Sequence, residues 1–211
     1  MTSTNAPWPP ALPLVAILRG LQPERAADIA QVLFDAGFRA LEVPLNRPGA
    51  IEAIGTLVKL APADAWIGAG TVLDTAQVDA VADTGAQLIV SPHFDAAVVG
   101  RARERGLRSV PGVFTASEAF AAWRAGADAL KIFPAEAMTY AGLTGLTTVL
   151  PKGLPLWPVG GIVPDNIAAW RKAGATGFGL GGGLFKPEFE VADIAARARA
   201  YVEAWRASAP A

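Results

Sequence analysis

Short apolar runs alternate along this chain with Ala-rich amphipathic segments. The runs are LPLVAIL (12–18), ALEVPL (40–45), WIGAGTV (66–72), QLIVSP (87–92), LRSVPG (107–112), ALKIFP (129–134), LWPVGG (156–161) and GFGLGG (177–182). Each is rich in Val, Ile, Leu or Phe and bounded by Gly or Pro, the pattern of strands buried on both faces. The segments between them predict helices over 23–36, 49–61, 75–84, 95–105, 116–125, 140–150, 164–173 and 193–207. Pro23 and Pro164 stand where a first helical residue tolerates proline, and Ser117 and Glu118 mark another helix start.

A punctuation recurs. In DAGFRALEV, DTGAQLIVSP, ERGLRSVPG, RAGADALKIFP and KAGATGFGLG a glycine closes a helix and an apolar run follows. Glycine is the usual left-handed residue just past a helix C-terminus. The chain therefore reads as eight strand-helix units of about 20 to 30 residues, which predicts a single (β/α)8 TIM barrel with short loops. A doubly wound open sheet is the structural alternative, but it would take fewer strands. The expected division is an N-terminal tail over 1–11 and one barrel domain over 12–207, with no linker between domains.

Composition narrows the classes. At 211 residues, 52% hydrophobic and 18% charged, the chain is not of the disordered type. Its length buries roughly 70% of the unfolded surface. With 18 basic and 19 acidic side chains the net charge is −1, so nothing favours a nucleic-acid partner. No cysteine is present, which removes disulfides, thiolate nucleophiles and cysteine metal sites. His93 is the single histidine, so a two-histidine metal site is excluded and no metal is expected. The apolar stretch ALPLVAIL has no preceding Lys or Arg and carries prolines 7, 9, 10 and 13, unlike a signal peptide. No apolar run has membrane-spanning length, so the expectation is a cytoplasmic protein without a membrane partner.

In a barrel the chemistry sits at the C-terminal ends of the strands. Those ends carry Arg19, Glu42 with Asn46, Thr71, Ser91-Pro92-His93, Pro111, Lys131, Gly160-Gly161 and Gly181-Gly182-Gly183. Lys131 weighs most. Of five lysines, it alone lies inside a strand pattern with apolar neighbours. Desolvation lowers an amine's pKa, and a neutral amine adds to a ketone to give a Schiff base. Equally, a strand-end lysine pairs with a carboxylate for structural reasons. Glu42 in ALEVPLN is such a carboxylate, and it is also a candidate proton-transfer group. The glycine turns after strands seven and eight match the usual barrel phosphate site, although each also serves as a tight turn. Arg19 is a candidate for a substrate carboxylate and Thr71 for a hydrogen bond to substrate, against the plainer reading of both as strand-end residues. His93 reads as structural. The tryptophans read as core or interface residues, with Trp157 alone on a strand near the mouth.

Taken in order and spacing, ILRG, ALEVPLN, GAGTV, LIVSPH, PGVFTASEA, ALKIFPAE, VGGI and GLGGG resemble one family. It is the short class I aldolases that cleave 2-keto-3-deoxy-6-phospho sugar acids, and the match runs from about Leu12 to Tyr201. The resemblance implies a homotrimeric barrel, no metal or organic cofactor, and a small keto-deoxy sugar acid phosphate as partner. It implies Lys131 as the Schiff-base residue and Glu42 as the acid-base residue acting through water. Arg19, Asn46, Thr71, Pro92, Phe133 and Val159 would contact substrate, with Arg19 toward the carboxylate of the pyruvate half. Gly160, Gly161, Gly181 and Gly182 would hold the phosphate. ILRG, PLN after Glu42 and Val159 before the glycine pair lean toward the galactonate branch, whereas SPH at 91–93 is more like the gluconate branch. Two features depart from the family. The turn at 181–183 has no serine, and segment 137–147 differs from the usual run.

Three readings follow from these residues. The first is a class I aldolase giving pyruvate and D-glyceraldehyde 3-phosphate from the 6-phosphogalactonate substrate, the gluconate epimer or both. The second is a phosphate-binding isomerase or epimerase with Glu42 as base. The third is a non-catalytic sugar-acid-binding barrel, since fold alone does not separate them.

Overall fold

A computed structural model describes residues 7–208. The predicted tail over 1–11 therefore lies partly outside the described residues. All eight predicted helices form, within a few residues of their expected bounds. In chain order the elements are β1 (Leu14–Ile17), α1 (Ala26–Asp35), β2 (Ala40–Pro44), α2 (Ala50–Leu60), β3 (Trp66–Gly70), α3 (Thr75–Asp83), β4 (Leu88–Val90) and α4 (Ala96–Glu104). There follow β5 (Arg108–Val110), β6 (Gly112–Val113), α5 (Ala116–Ala125), β7 (Leu130–Ile132), α6 (Tyr140–Val149), β8 (Leu156–Pro158), α7 (Pro164–Lys172), β9 (Phe178–Leu180) and α8 (Val191–Ala207). Short 3-10 turns precede α1 and α6.

Every strand pairing is parallel. The strands fall in two sheets, β5-β4-β3-β2-β1-β9 and β6-β7-β8. The run expected as one strand over 107–112 is two, because Pro111 interrupts it. Proline has no N–H to give a ladder, but the Pro111 carbonyl still accepts from the Lys131 N–H at 2.9 Å. At the other margin a single parallel bridge joins Val159 to Gly179. The sheet is thus curled, with helices on its outer side.

The alternation of side chains along each strand sorts the core into two layers. Leu14 and Ala16, Leu41 and Val43, Ile67 and Ala69, Leu130 and Ile132 face outward to the helices. Val15, Ala40, Trp66, Leu88, Val90, Val110, Ala129 and Trp157 form a separate cluster on the inner face. Glu42 is two residues beyond Ala40, and Lys131 is two beyond Ala129. Both therefore point inward, one layer nearer the C-terminal ends of the strands.

The five predicted helix-end glycines, Gly37, Gly85, Gly106, Gly126 and Gly174, all have left-handed φ, between 73° and 112°. Side-chain caps start several helices. Asp74 accepts from the Gln77 N–H, Asp95 from those of Ala97 and Val98, and Thr139 from that of Gly142. Thr115 and Glu118 cap α5 reciprocally.

Candidate active site

At the C-terminal ends of the strands lies a cavity of about 480 Å³. Arg19, Glu42, Thr71, Lys131, Phe133, Val159, Gly160, Gly161, Gly181 and Gly182 all line it. Residues far apart in sequence are thus brought together because each ends, or follows, an inward-facing strand position. Two expected contacts are not in that lining. Asn46 is exposed in the loop after β2. Pro92 is half-buried, and its carbonyl packs on Gly112, where any Cβ would collide with it. Trp157 lies on β8 as expected: it packs in the inner cluster with Trp8 and borders a small space with Glu42 and Lys131, while Val159 also lines the main cavity. His93 is exposed.

Glu42 is 2% exposed and Lys131 7%. Burial pushes the Glu42 carboxyl up to about 7, although the charges of Lys131 and Arg19 act to lower it. Burial also lowers the Lys131 amine, with the nearby Glu42 charge opposing and Arg19 assisting. The two sense each other across the cavity, yet no carboxylate lies within 4.0 Å of the Lys131 amine among the described residues. A contact ion pair, the structural role open to a strand-end lysine, is therefore not formed. The amine instead lies 4.4 Å from the centre of the Phe133 ring.

Glu42 is held from behind. Its carboxyl occupies the space a side chain at Gly70 would need. Its Oε2 is buried with no hydrogen-bond partner. A buried acceptor without a donor is costly, which adds to the cost of keeping this carboxyl ionised. Thr71 follows with φ of 56°, the one non-glycine residue with positive φ among those described. Such a conformation is strained for a β-branched residue and is characteristic of functional sites.

Across the cavity, Gly160 and Gly161 adopt φ of 109° and 63°. Asn166 on α7 fixes this turn, donating from Nδ2 to the Gly161 carbonyl at 2.8 Å and accepting from the Val163 N–H at 3.0 Å. Two charged residues that do not end a strand also line the cavity: Glu136, in the turn after β7, and Lys186, just beyond the 181–183 turn. Glu136 stood in view at the end of ALKIFPAE, and Lys186 three residues after a glycine cluster, but neither lies on a strand. Among the described residues no group of three or more His, Asp or Glu side chains is placed to hold a metal ion.

A parallel strand array that holds an amine and a carboxyl at its mouth, both against their desolvation cost, is built for chemistry rather than for support. The model of the KDPG and KHG aldolase family matches residues 10–196, and the chain belongs to that family: it is an enzyme of the aldolase class, a carbon-carbon lyase. It is 45% identical to the 2-dehydro-3-deoxy-6-phosphogalactonate aldolase of Escherichia coli (strain K12) over 199 residues, which cover 94% of this chain and 97% of that one. A solved structure described as native KDPGal superposes with a TM-score of 0.93 at 44% identity, covering 95% of this chain and 98% of the other. A KDPG aldolase from Legionella pneumophila, solved with pyruvate captured as a covalent carbinolamine, superposes with a TM-score of 0.77 at 27% identity over 95% of each chain.

Proposed function

We propose that this chain is a Schiff-base aldolase that splits 2-dehydro-3-deoxy-6-phospho-D-galactonate into pyruvate and D-glyceraldehyde 3-phosphate. The observation that carries this reading is the Lys131 amine, buried at the cavity floor, depressed in basicity and without a contact carboxylate. Its neutral form adds to C2 of the keto acid, and loss of water from the carbinolamine leaves an iminium. Glu42, through a water molecule, takes the proton of the C4 hydroxyl. The C3–C4 bond breaks, its electron pair passes to the iminium, and the aldehyde leaves. The enamine is then protonated at C3, and hydrolysis frees pyruvate and the amine.

Arg19 lies on the same side as Lys131 and Glu42, which supports its role toward the substrate carboxylate. Thr71 and Phe133 border the pyruvate half, and the backbone N–H groups of Gly160, Gly161, Gly181 and Gly182 receive the phosphate. The galacto assignment rests on the relatives' names and on Val159, which walls the cavity. Asn46 and Pro92 are assigned to substrate by family likeness. The likeness likewise supports a homotrimer, a single aldolase domain over 12–207 after a tail over 1–11, and a cytoplasmic location. Among the described residues no helix is long and apolar enough to cross a membrane. The two sheets are read as one (β/α)8 barrel, with β5 and β6 forming a single strand broken at Pro111 and the Val159–Gly179 bridge closing the ring.

The test is pyruvate release from the galacto and gluco 6-phosphates side by side, compared as kcat/KM, with Lys131→Ala as the blank. The expected result is a galacto preference, activity lost by several orders of magnitude in the variant, and a borohydride-trapped pyruvate adduct on wild type only. A gluco preference moves the chain to the other branch. An active Lys131→Ala enzyme, or no adduct on wild type, rejects the Schiff-base reading and favours an isomerase with Glu42 as base.

A further inference from the structure

The glycine turns alone leave the proposed phosphate site short of charge. Backbone N–H groups offer only partial positive charge, and the three glycines of the 181–183 turn add no side-chain donor. The facing wall makes matters worse. Glu136 packs against the Gly160-Gly161 turn, close enough that a Cβ at Gly160 would stand 2.8 Å from its Oε2. No Lys, Arg or His nitrogen lies within 4.0 Å of its carboxylate among the described residues. A phosphate dianion entering here meets an unneutralised negative charge.

Three cations line the cavity. Arg19 and Lys131 act on Glu42 at the strand ends. The third, Lys186, lies at the glycine turn itself. Its Cε is the one atom within 4 Å of where a Gly182 side chain would begin, at 3.8 Å. The lysine stem therefore runs along backbone that glycine leaves bare. No carboxylate lies within 4.0 Å of the Lys186 amine among the described residues. Its neighbour is the Phe189 ring, 5.5 Å away.

We infer that Lys186 is the phosphate-binding cation of this site, its ammonium donating to the substrate phosphate where the turn has no side-chain donor. The assignment rests on the proposed aldolase reading and deepens it. An ammonium on a flexible stem reaches a phosphate as a point charge and needs no fixed fork geometry. Lys186 is exposed, so the interaction is screened by salt more than a buried one.

The experiment compares kcat/KM for the phosphorylated keto acid and for the same acid without its phosphate. Lys186→Ala is expected to lower the ratio of the two about tenfold, mainly through KM of the phosphorylated substrate, the size expected for one hydrogen bond to a charged group. Lys186→Arg should keep the ratio. Adding Gly182→Ser to Lys186→Ala should recover part of it by supplying a hydroxyl. Raising ionic strength should weaken the wild type for the phosphorylated substrate more than it weakens Lys186→Ala. Borohydride trapping of pyruvate on Lys131 checks that each variant is intact. An unchanged ratio in Lys186→Ala, where wild type strongly prefers the phosphorylated acid, overturns the role of Lys186 and leaves the phosphate reading standing. Loss of pyruvate trapping in that variant also overturns it, since Lys186 would then support the fold. A wild type that traps pyruvate but does not favour the phosphate removes the phosphate site and this inference together.

Discussion

Glu42 and Lys131 are the residues on which the proposed chemistry turns, and both are legible from strand periodicity. Each interrupts an apolar run and stands two residues beyond an alanine of the inner layer. What periodicity left open was the role of Lys131, because a contact ion pair and a free amine share one sequence pattern. Among the described residues no carboxylate lies within 4.0 Å of the amine, which favours the free amine and supports the proposed role. The raised carboxyl carries a pH consequence. As a base Glu42 must be ionised, and with its pKa near 7 the ionised fraction falls about tenfold for each pH unit below that point. We expect kcat/KM to fall on the acid side, where Glu42 gains a proton and the Lys131 amine, which the same mechanism requires neutral, gains one as well. Glu42→Gln should lower kcat by about a hundredfold or more and leave only the part of that limb that belongs to the amine, measured across pH 5 to 9. An unchanged limb in Glu42→Gln would assign the titration to another group.

The elements formed almost where the residue pattern put them, because their signals are local. Helix-end glycines, Asp and Thr caps and first-turn prolines act within a few residues of one another. The exception is also local. Pro111 divides a strand that its apolar neighbours would have continued. Less visible was the way one helix serves the site. Asn166 sits two residues after the proline that begins α7 and ties the Gly160-Gly161 turn to the helix through both ends of its amide. Its removal should loosen the turn without touching the strands. We expect Asn166→Ala to raise KM for the phosphorylated substrate about fivefold, the loss of one or two neutral hydrogen bonds, while trapping of pyruvate on Lys131 stays at the wild-type level. A parallel loss of trapping would show that the helix N-terminus supports the whole mouth.

At the scale of the molecule, the inner face is closed from below by aromatic rings. Trp8 lies with its ring centre 5.3 Å from those of Trp66 and Trp157. Arg108 stands over Trp8 and Trp66 at 5.9 and 5.7 Å and pairs with Asp128, whose carbonyl accepts from Trp8 Nε1. Trp8, in the N-terminal segment, packs down onto the sheet at the end opposite the cavity. Removing the ring leaves a void among buried neighbours, and Trp8→Ala should cost about 2 kcal/mol, or roughly 5 °C in Tm for a chain of this size. Pyruvate formation at 25 °C should persist, because the plug and the cavity occupy opposite ends of the strands. Calorimetry beside a rate assay separates the two effects. A variant with wild-type Tm would show that the plug adds nothing to stability.

The sequence by itself determined the order and length of the helices, the parallel class of the sheet, and the family to which the chain belongs. These rest on short-range periodicity, on turn residues and on motifs whose order survives without coordinates. Only the tertiary structure decided which strand ends share one cavity. It set Asn46 and Pro92 outside that lining, and it brought Glu136 and Lys186, both beyond the strands, against the glycine turns. The reason is physical. A side chain's direction along a strand is a property of two neighbouring residues, whereas the distance between two loops depends on every element that curls the sheet between them.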